Sequence, residues 1–469
     1  MTQFIIAIII AVAVLIFMIV KLNIHPVLSL FVGGMIAGIG MGYSVSDTIT
    51  TFTNGFGGTL GAIGCTIIFG SIIAEGIRDS GSAKSMVNFF IRLFRGKNLE
   101  LSTGMASYVM SIPVFGDITQ VLMAPIASVI SKRDKRSMST MTSYTCLASS
   151  LTHSMVPPTP GILAVAVLLG ADLGMVILWG IIISFAAYII TWLLTRKWVA
   201  RESIVPREDY VIGVEEVDNT DYRNLLIKEP GLPGVLAAMA PILVPVILIA
   251  MASFADMNLA EGSTARVVMD TLGNRNIALF IGVLITFCLG ASNKDKVLEN
   301  YNRSTGDHER SLFKVMTNSW IVEALQVALL PLLITAMGGG FSSIIKGYEG
   351  VSELGTAIAS ANFPGFLVPF IIGAIMMIAV GSRTTAGMTA AGLCAPMIAT
   401  LGLSPVTCAV LIGTGTMIGS HVSDSGFWIA TSLFNLNTKQ GLKYITLMGS
   451  ICGLIAFAIA AALVFAGIL

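Results

Sequence analysis

Five ionisable residues lie inside long apolar stretches beside residues that interrupt helices: Asp117, His153, Arg383, His421 and Asp424. Asp117, for example, ends the segment SIPVFGD, which combines a proline and a glycine with an acid. An ionisable side chain in apolar surroundings is costly, and such residues are usually functional. A carboxylate can accept a proton, an imidazole can carry one near pH 7, and a guanidinium can bind a carboxylate bidentately. These residue types therefore indicate a site for an organic anion with a coupled proton.

The two acids also have a structural interpretation. Asp is a good N-terminal cap, and Asp117 and Asp424 both lie where a helix would restart after a break. Asp424 follows His421 by three residues, so the two side chains share one face if that turn is helical. We predict a role in the site for both acids and keep capping as the alternative.

Arg383 is the only Lys or Arg between Lys346 and Lys439. It could bind a substrate carboxylate through two parallel hydrogen bonds. Alternatively, it neutralises a buried acid and never contacts the substrate. The acids that it could neutralise are Asp117, Asp424 and Glu75.

The two histidines occupy matching places in the two halves of the chain. VLMAPI precedes His153 at a distance similar to that at which GLCAPM precedes His421. A break follows each of them, in HSMVPPTPG and in SHVSDSGFW. A lone histidine is more often structural, but two in register favour a site, and either could carry the coupled proton.

Composition restricts where the chain can fold. Of its 469 residues, 55% are hydrophobic and 11% are charged, whereas about 25% are charged in soluble domains. We therefore predict that most of the chain lies in a lipid bilayer. The net charge of +1 gives no general attraction to nucleic acid. The six cysteines lack metal-ligand spacing and are interpreted as packing residues, so we predict no metal and no cofactor.

The hydrophobic pattern and the basic loops predict the crossings. The first apolar segment lacks the features of a signal peptide and is predicted to be a permanent span. Loops rich in Lys and Arg, such as Lys84–Lys97 and Lys132–Arg136, mark the cytoplasmic side. Loops without them, at 43–56 and 170–173, are predicted to face outward. The predicted crossings are about 4–20, 26–43, 57–78, 138–169, 174–195, 233–254, 277–291, 315–337, 405–434 and 444–468.

Two further apolar stretches, 99–131 and 363–403, are broken internally and are predicted to be re-entrant hairpins. The first lies between two basic loops, so both of its ends are predicted to be cytoplasmic. The second contains AVGSRTTAG, has neighbours with almost no basic charge, and is predicted to enter from outside. Non-helical backbone at membrane depth is tolerated where it is buried in protein or lines a watery cavity.

The order of these elements predicts two repeats of opposite orientation. Each half has five crossings, an odd number, and one hairpin. We predict a first repeat at 1–200 with hairpin 99–131 and broken helix 138–169, and a cytoplasmic linker at 201–232. The second repeat is predicted at 233–469, with hairpin 363–403 and broken helix 405–434. Inverted repeats with discontinuous helices are a transporter architecture.

The predicted fold is thus an all-α membrane protein with about ten transmembrane helices plus two re-entrant hairpins in two inverted-topology repeats, with broken helices at the midplane. Within it, the glycines from Gly55 to Gly64 have the spacing of a helix-packing face. Their sequence GFGGTLG lacks the strand and helix context of a phosphate-binding loop. Glu75 and Glu323 lie near basic loops and are interpreted as side chains that extend to the membrane interface.

Five long segments carry a resemblance to a known family. They are GFGGTLGAIGCTIIFGSIIAEGIRDSGSA, PVFGDITQVLMAPI, HSMVPPTPGILAVAVLLGADLG, GSRTTAGMTAAGLCAP and SHVSDSGFW. In this order they resemble the gluconate permease family of proton symporters, within the larger ion-transporter superfamily. The resemblance implies import of sugar acids or other small hydroxy- or amino-carboxylates, driven by the proton gradient across the bacterial cytoplasmic (inner) membrane. It also implies a homodimer in which a transport domain moves against a scaffold like an elevator.

The resemblance also carries over to individual residues. The hairpin acid of the family falls on Asp117, and the Gly-Ser-x-Thr hairpin signature falls on Gly381, Ser382 and Thr384. This chain has Arg383 where a small residue is usual in the family. It also has Ser423 where Asn is usual, and Gly116 where an aromatic is common. The arginine favours a substrate with a second carboxylate or another acidic group over gluconate itself.

We predict a secondary active transporter, not an enzyme, that imports a small organic carboxylate by proton symport with elevator-type alternating access. The hairpin residues and backbone amides would hold the carboxylate, and the groups around the histidines would bind hydroxyls. The predicted proton carriers are Asp117, Asp424, His153 and His421. The predicted substrate-binding residues are Asp117, His153, Ser154, Gly381, Ser382, Arg383, Thr384, His421 and Asp424.

Three alternatives differ in what they require. Sodium coupling through carbonyls of the unwound helices stays open. An intramembrane enzyme would need a motif such as HExxH or an activated nucleophile, and the sequence has neither. A channel is disfavoured because a pore does not need opposed hairpins, whereas alternating access does.

Overall fold

The computed structural model describes residues 2–22, 24–217, 221–260, 262–346, 364–421 and 424–469. These residues form helices and contain no β-strand. Helices suit long apolar runs because each helix satisfies its own backbone hydrogen bonds without water. The first half contains α1 (Thr2–Val20), α2 (Pro26–Gly40), α3 (Val45–Asp79), α4 (Ser82–Leu93), α5 (Leu99–Met110), α6 (Gly116–Arg133), α7 (Met138–Met155), α8 (Pro160–Leu169) and α9 (Leu173–Val199).

The second half is also helical. Single π-helical turns at Val315–Ser319 and Leu442–Thr446 extend two of its helices toward their N-termini. Its helices are α10 (Val235–Asn258), α11 (Thr264–Gly273), α12 (Arg275–Ser292), α13 (Lys294–Thr305), α14 (Leu312–Lys314), α15 (Trp320–Lys346), α16 (Leu367–Val380), α17 (Arg383–Cys394), α18 (Pro405–Gly415), α19 (Ser425–Leu433), α20 (Thr438–Gly441) and α21 (Leu447–Phe465).

The all-helical, membrane-spanning class is confirmed. Shorter apolar helices, such as Val27–Gly40 and Pro405–Gly415, accompany the long ones. The count of ten crossings and the inverted orientation of the repeats stay predictions. In the described part of the chain, six segments are long and apolar enough to cross a membrane: Val45–Asp79, Leu173–Val199, Val235–Asp256, Arg275–Ser292, Leu312–Ile345 and Thr438–Phe465.

Each of the four stretches predicted to be broken contains an interruption between two helices. The segment SIPVF separates α5 from α6, and VPPT separates α7 from α8. Prolines end helices at these places because they lack an N–H group. Gly381 separates α16 from α17 with φ +73°, and Gly419 lies between α18 and α19 with φ +74°, a conformation that glycine adopts without strain. Re-entry of 99–131 and 363–403 stays a prediction, and residue 363 lies outside the described residues.

The longest helix, α3, packs closely against α15 and joins the two halves of the chain. A Cβ added to Gly55 would collide with Ser343, and one added to Gly339 would collide with Thr59. Glycine at both positions lets the two backbones approach.

The opposite face of α3 contradicts the predicted glycine packing face. Among the described residues, nothing lies within 4 Å of a Cβ added to Gly57, Gly58, Gly61 or Gly64. Cys65, one turn further, is exposed rather than packed, and so is Cys288. The glycine spacing was therefore a misleading signal except at Gly55, because spacing does not say which face of a helix is covered.

A cluster of charges lies at the end of α3. Arg78 forms ion pairs with Glu75 at 2.5 Å, with Asp79 at 2.8 Å and with Glu323 of α15 at 2.8 Å. Asp79 also accepts a hydrogen bond of 2.7 Å from Trp320 Nε1. The interpretation of Glu75 and Glu323 as side chains extending to the interface is therefore wrong. It also follows that Glu75 is held by Arg78 and is not the acid that Arg383 neutralises.

The predicted linker, 201–232, is attached to both halves, although its status as a domain boundary stays a prediction. Near one end, Glu229 pairs with Lys84 of α4 at 2.5 Å and with Lys296 of α13 at 3.0 Å. Near the other end, Glu202 accepts hydrogen bonds from the residues before and within the last long helical segment. Their distances are 2.8 Å from Gln440, 2.9 Å from Lys443 and 2.6 Å from Tyr444.

Glu202→Gln is expected to lower the melting temperature by about 1–2 °C at pH 7, since a half-exposed charged contact contributes at most about 1 kcal/mol. Hydrogen bonds from Tyr444, Lys443 and Gln440 lower the pKa of Glu202 from 4.5 to about 2. The carboxylate's contribution is therefore complete above pH 4.5 and is lost as the pH falls toward 2.

Melting curves of wild type and Glu202→Gln between pH 7 and pH 3 test this expectation. The difference between them should shrink below pH 4.5, and Glu208→Gln, at an exposed carboxylate of the same segment, should show no such trend. A difference that stays constant over this range would contradict the assignment.

Candidate substrate-binding site

The helix breaks bring several candidate residues into one region. Arg383, at the start of α17, forms an ion pair with Asp424, which directly precedes α19. Asp117, in the first turn of α6, borders the same end of α19. A Cβ added to Gly426 would lie 2.6 Å from Asp117 Oδ1 and 3.3 Å from Asp424 Oδ1. Arg383 also lines a small cavity together with His153, from the last turn of α7.

Asp424 caps a helix and belongs to a charged pair at the same time. Its Oδ1 accepts a hydrogen bond of 2.9 Å from Gly426 N, so the capping interpretation is confirmed. Its Oδ2 accepts a hydrogen bond from Ser420 Oγ and lies 3.1 Å from Arg383 Nη1. Only 8% of the side chain is exposed, and a charge pair is stronger there than in water. Capping therefore does not exclude a role in the site.

One edge of the Arg383 guanidinium binds Asp424, and the other edge includes an N–H group without a partner among the described residues. Its Nη1 is paired with Asp424, which confirms that it neutralises a buried acid. Its Nε is buried and has no hydrogen-bond partner in the described part of the chain. Guanidinium groups bind carboxylates through two adjacent N–H groups. The edge formed by Nε and Nη2 therefore remains able to bind a second carboxylate.

Asp117 is placed differently from a cap. Phe115 occupies the N-cap position of α6, and Asp117 follows in the first turn, so the capping alternative is wrong for this residue. The first turn still suits a carboxylate because the helix dipole is positive there. No described residue donates a hydrogen bond to the half-buried carboxylate or forms an ion pair with it. Asp117 is thus an acid of this region without a direct partner.

Three buried polar atoms without partners among the described residues belong to side chains that line the cavity: Arg383 Nε, His153 Nδ1 and Ser154 Oγ. The cavity measures about 10 Å³, enough for roughly one water molecule. Buried polar groups without hydrogen bonds are costly and rare, so these atoms indicate a ligand position. A larger ligand requires the residues that line the cavity to move.

The hairpin signature shapes the break between α16 and α17. Gly381 provides the left-handed turn, and Ser382 caps α17 by accepting a hydrogen bond of 3.4 Å from Thr385 N. Thr384 is buried, and its Oγ1 would lie 3.4 Å from a Cβ added to Gly161, beyond the break of the other half. The structure therefore brings Thr384 close to the cavity lining. The roles of these residues as substrate ligands stay predictions.

The matching positions of the two histidines do not give matching surroundings. His153 packs beside Phe115, with ring centroids 6.3 Å apart, and lines the cavity. His421 Nε2 lies 2.9 Å from the carbonyl oxygen of Ile378 in α16, so this nitrogen donates the hydrogen bond. His421 is not among the residues that line the described cavity. The structure thus brings His153, but not His421, to the cavity that Arg383 lines.

Comparison with known proteins places the whole chain in one family. The family model for GntP family permease matches residues 3–466. This chain belongs to the GntP permease family. The permease is 27% identical to the gluconate permease of Pseudomonas aeruginosa, over 94% of this chain and 93% of that protein. It is 26% identical to the D-serine transporter DsdX of Escherichia coli K12, over 96% and 95% of the two chains.

A solved structure supports the fold. The Neisseria gonorrhoeae protein MtrF, described as one of a class of antimetabolite efflux pumps, matches the permease with a TM-score of 0.65. The match covers 96% of the permease and 97% of MtrF at 14% identity. Similarity at this level of identity shows the fold and says nothing of the substrate.

Family membership makes the permease a multi-pass membrane transporter and not an enzyme. The alternative of an intramembrane enzyme is therefore wrong. Among the residues that the structure describes, no group of three or more His, Cys, Asp or Glu side chains is arranged to hold a metal ion.

Three residues of the site were not predicted from the sequence. Ser420 donates a hydrogen bond to Asp424, and Thr416 lines the cavity beside Arg383. Gly413 brings α18 against the end of α7, where an added Cβ would lie 2.6 Å from the carbonyl oxygen of Ser154. Ser420 lies in the quoted segment SHVSDSGFW, so its place near a break was a usable signal. Gly413 and Thr416 lie within an apolar run and gave none.

Gly426→Ala is expected to reduce uptake by the permease about tenfold, because the new methyl group would lie 2.6 Å from Asp117 Oδ1 and displace that carboxylate. The melting temperature should change little, since a carboxylate at the end of a side chain can rotate away. Gly57→Ala is the matched control, as its methyl group would meet no described atom within 4 Å. Equal uptake by both variants would show that the position of Asp117 is unimportant.

Proposed function

We propose that the permease imports a small organic carboxylate by proton symport. The observation that carries the proposal is the cavity whose lining includes three buried polar atoms without partners, next to the Arg383–Asp424 ion pair. A guanidinium edge, a hydroxyl and an imidazole can together bind a carboxylate and a neighbouring hydroxyl or amino group. The names of the gluconate and D-serine relatives fit such a substrate class.

In this proposal the substrate carboxylate binds the Nε edge of Arg383 while Nη1 keeps its contact with Asp424. Ser154 and His153 bind the polar group on the adjacent carbon, and the start of α17 contributes backbone N–H groups. Because Asp424 already neutralises Arg383, the arginine does not require a second carboxylate on the substrate. Gluconate and D-serine therefore return as candidates beside diacids.

The charges of the site indicate which carboxylate takes up the coupled proton. With substrate bound, three carboxylates would face one guanidinium, and like charges this close repel. Asp117 has no direct partner among the described residues, so its protonation breaks no ion pair. Asp424, in contrast, would lose the contact with Arg383. Asp117 is therefore proposed to take up the coupled proton, so that the loaded site carries one negative charge fewer when it moves.

The cavity is too small for a sugar acid, so binding and release require the helices around it to separate, as alternating access demands. Elevator movement and a homodimer are proposed from the family resemblance, and the inverted repeats are proposed from the order of the crossings and hairpins. Relatives in Escherichia coli and Pseudomonas aeruginosa support a place in the bacterial cytoplasmic membrane.

Uptake into proteoliposomes tests the proposed function. Labelled gluconate, D-serine and glucarate are offered under an imposed pH gradient, an imposed sodium gradient, or neither. The proposal expects accumulation of at least one of them with the pH gradient alone. Uptake that follows sodium and ignores pH would replace the proton by sodium, and no uptake of any carboxylate would remove the substrate class.

A further inference from the structure

A second, larger cavity of about 490 Å³ lies at the ends of α5, α7 and α9, away from the site described above. Four cationic side chains and one carboxylate line it: Lys135, Arg136, Arg196, Lys197 and Glu100. The lining combines the loop between α6 and α7 with the last turn of α9. Since α9 is one of the segments able to cross a membrane, its end lies near the depth of lipid headgroups.

Two of the four cations are already neutralised. Arg136 pairs with Glu100 at 3.3 Å and with Asp134 at 2.6 Å. Lys135 pairs with Glu216 at 2.7 Å.

Arg196 and Lys197 are the other two cations, and no described carboxylate pairs with either of them. The guanidinium of Arg196 lies 4.7 Å above the ring of Trp192, and the ring's Nε1 donates a hydrogen bond of 3.1 Å to Glu100. Arg196 is thus held in place by the Trp192 ring and not by an ion pair with a described carboxylate.

An apolar stripe on the surface of α9 lies next to these two cations. Ile190, Leu193 and Leu194 are exposed, Leu194 by 68%. Together with Lys197 they follow the spacing i, i+3, i+4 and i+7, so they share one face of the helix. An apolar stripe that ends in two cations without an ion pair to a described carboxylate matches the outline of a phospholipid, with an acyl chain beside the leucines and a phosphate at the cations.

We propose that this cavity binds the phosphate headgroup of an anionic phospholipid through Arg196 and Lys197. A free phosphate ion would use the same two cations, but the cavity lies at headgroup depth beside the bilayer-facing side of α9, so a lipid headgroup is the favoured ligand. The bound lipid would connect α9 to the loop after α6. Basic pockets between membrane helices on the cytoplasmic side bind such headgroups.

Titration of the purified full-length permease with phosphatidylglycerol, followed by native mass spectrometry and melting temperature, tests the proposal. Phosphatidylcholine with the same acyl chains and inorganic phosphate are the comparison ligands. We expect tight binding of phosphatidylglycerol to wild type and about 30-fold weaker binding to the double variant Arg196→Gln/Lys197→Gln, the factor that corresponds to about 2 kcal/mol. Arg95→Gln/Lys294→Gln removes two exposed cations elsewhere and should bind as wild type does.

The exchange variant Arg196→Lys/Lys197→Arg keeps both charges and should retain binding, which separates loss of charge from loss of fold. Equal weakening in Arg95→Gln/Lys294→Gln would mean a diffuse effect of net charge and would overturn the site. Stabilisation by inorganic phosphate equal to that by phosphatidylglycerol would overturn the lipid assignment. Equal binding of phosphatidylcholine would do the same.

Discussion

Arg383→Gln is expected to lower kcat/KM for uptake by at least about 100-fold, the effect of losing about 3 kcal/mol at a buried charge pair. The arginine is 11% exposed and holds Asp424 with one edge. The proposed function gives its other edge to the substrate, so glutamine removes the main contact with the carboxylate. Uptake into proteoliposomes at several substrate concentrations measures the loss.

The same substitution leaves Asp424 buried without its partner, which destabilises a protein by about 3–5 kcal/mol. The double variant Arg383→Gln/Asp424→Asn removes both charges and separates the two effects. We expect it to recover the melting temperature of wild type and to remain inactive. Recovery of uptake in the double variant would show that Arg383 only neutralises Asp424.

Asp117→Asn is expected to abolish accumulation driven by a pH gradient while exchange of substrate across the membrane continues. Asparagine keeps the shape of the side chain but is permanently neutral, like the proposed protonated form. A gradient of two pH units supplies about 2.7 kcal/mol per proton, enough for about 100-fold accumulation by wild type. The variant should show none, whereas labelled substrate should still enter vesicles preloaded with unlabelled substrate.

Asp47→Asn is the control for this experiment. Asp47 lies in the first turn of α3, where it accepts a hydrogen bond from Ser44, away from the helix breaks. Its variant should accumulate substrate as wild type does. Loss of both accumulation and exchange in Asp117→Asn would point to a role of Asp117 in binding, and normal accumulation would remove it from proton coupling.

The helix breaks were predictable from sequence because their causes are local. Pro113 and the Pro157–Pro158 pair remove backbone donors, and Gly381 allows a left-handed turn, whatever the rest of the fold does. Each break was therefore expected within a few residues of its place. The charged residues beside the breaks were predicted as site residues from local sequence as well, because an ionisable side chain in an apolar stretch can be read without knowing the fold.

Partners across the fold were not predictable. The sequence left Arg383 with three possible acids, and only the folded structure, which places Arg383 at the start of α17 beside the residue before α19, selects Asp424. Similarly, the pairing of Arg78 with Glu323 depends on the packing of α3 against α15. Local sequence patterns identify which residues are candidates for a site. Their partners in distant segments depend on helix packing, which a single sequence does not reveal.

The glycine-rich segment gives the converse case, in which a regular pattern predicted a packing contact that most of its glycines do not make. Gly55 and Gly61 share a helix with regular small-residue spacing, yet Gly55 meets α15 and Gly61 meets no described atom. Periodicity describes a face of a helix, but the neighbour that covers the face comes from elsewhere in the chain.

Comparing the binding of a transported acid with that of its primary amide, which has nearly the same shape and no charge, tests most directly whether Arg383 binds the substrate carboxylate. The equilibrium dissociation constants of the acid and of the amide are measured for purified wild type and for Arg383→Gln/Asp424→Asn. We expect wild type to prefer the acid by about 100-fold and the double variant to show almost no preference. The same preference in both proteins would contradict a contact between Arg383 and the substrate carboxylate.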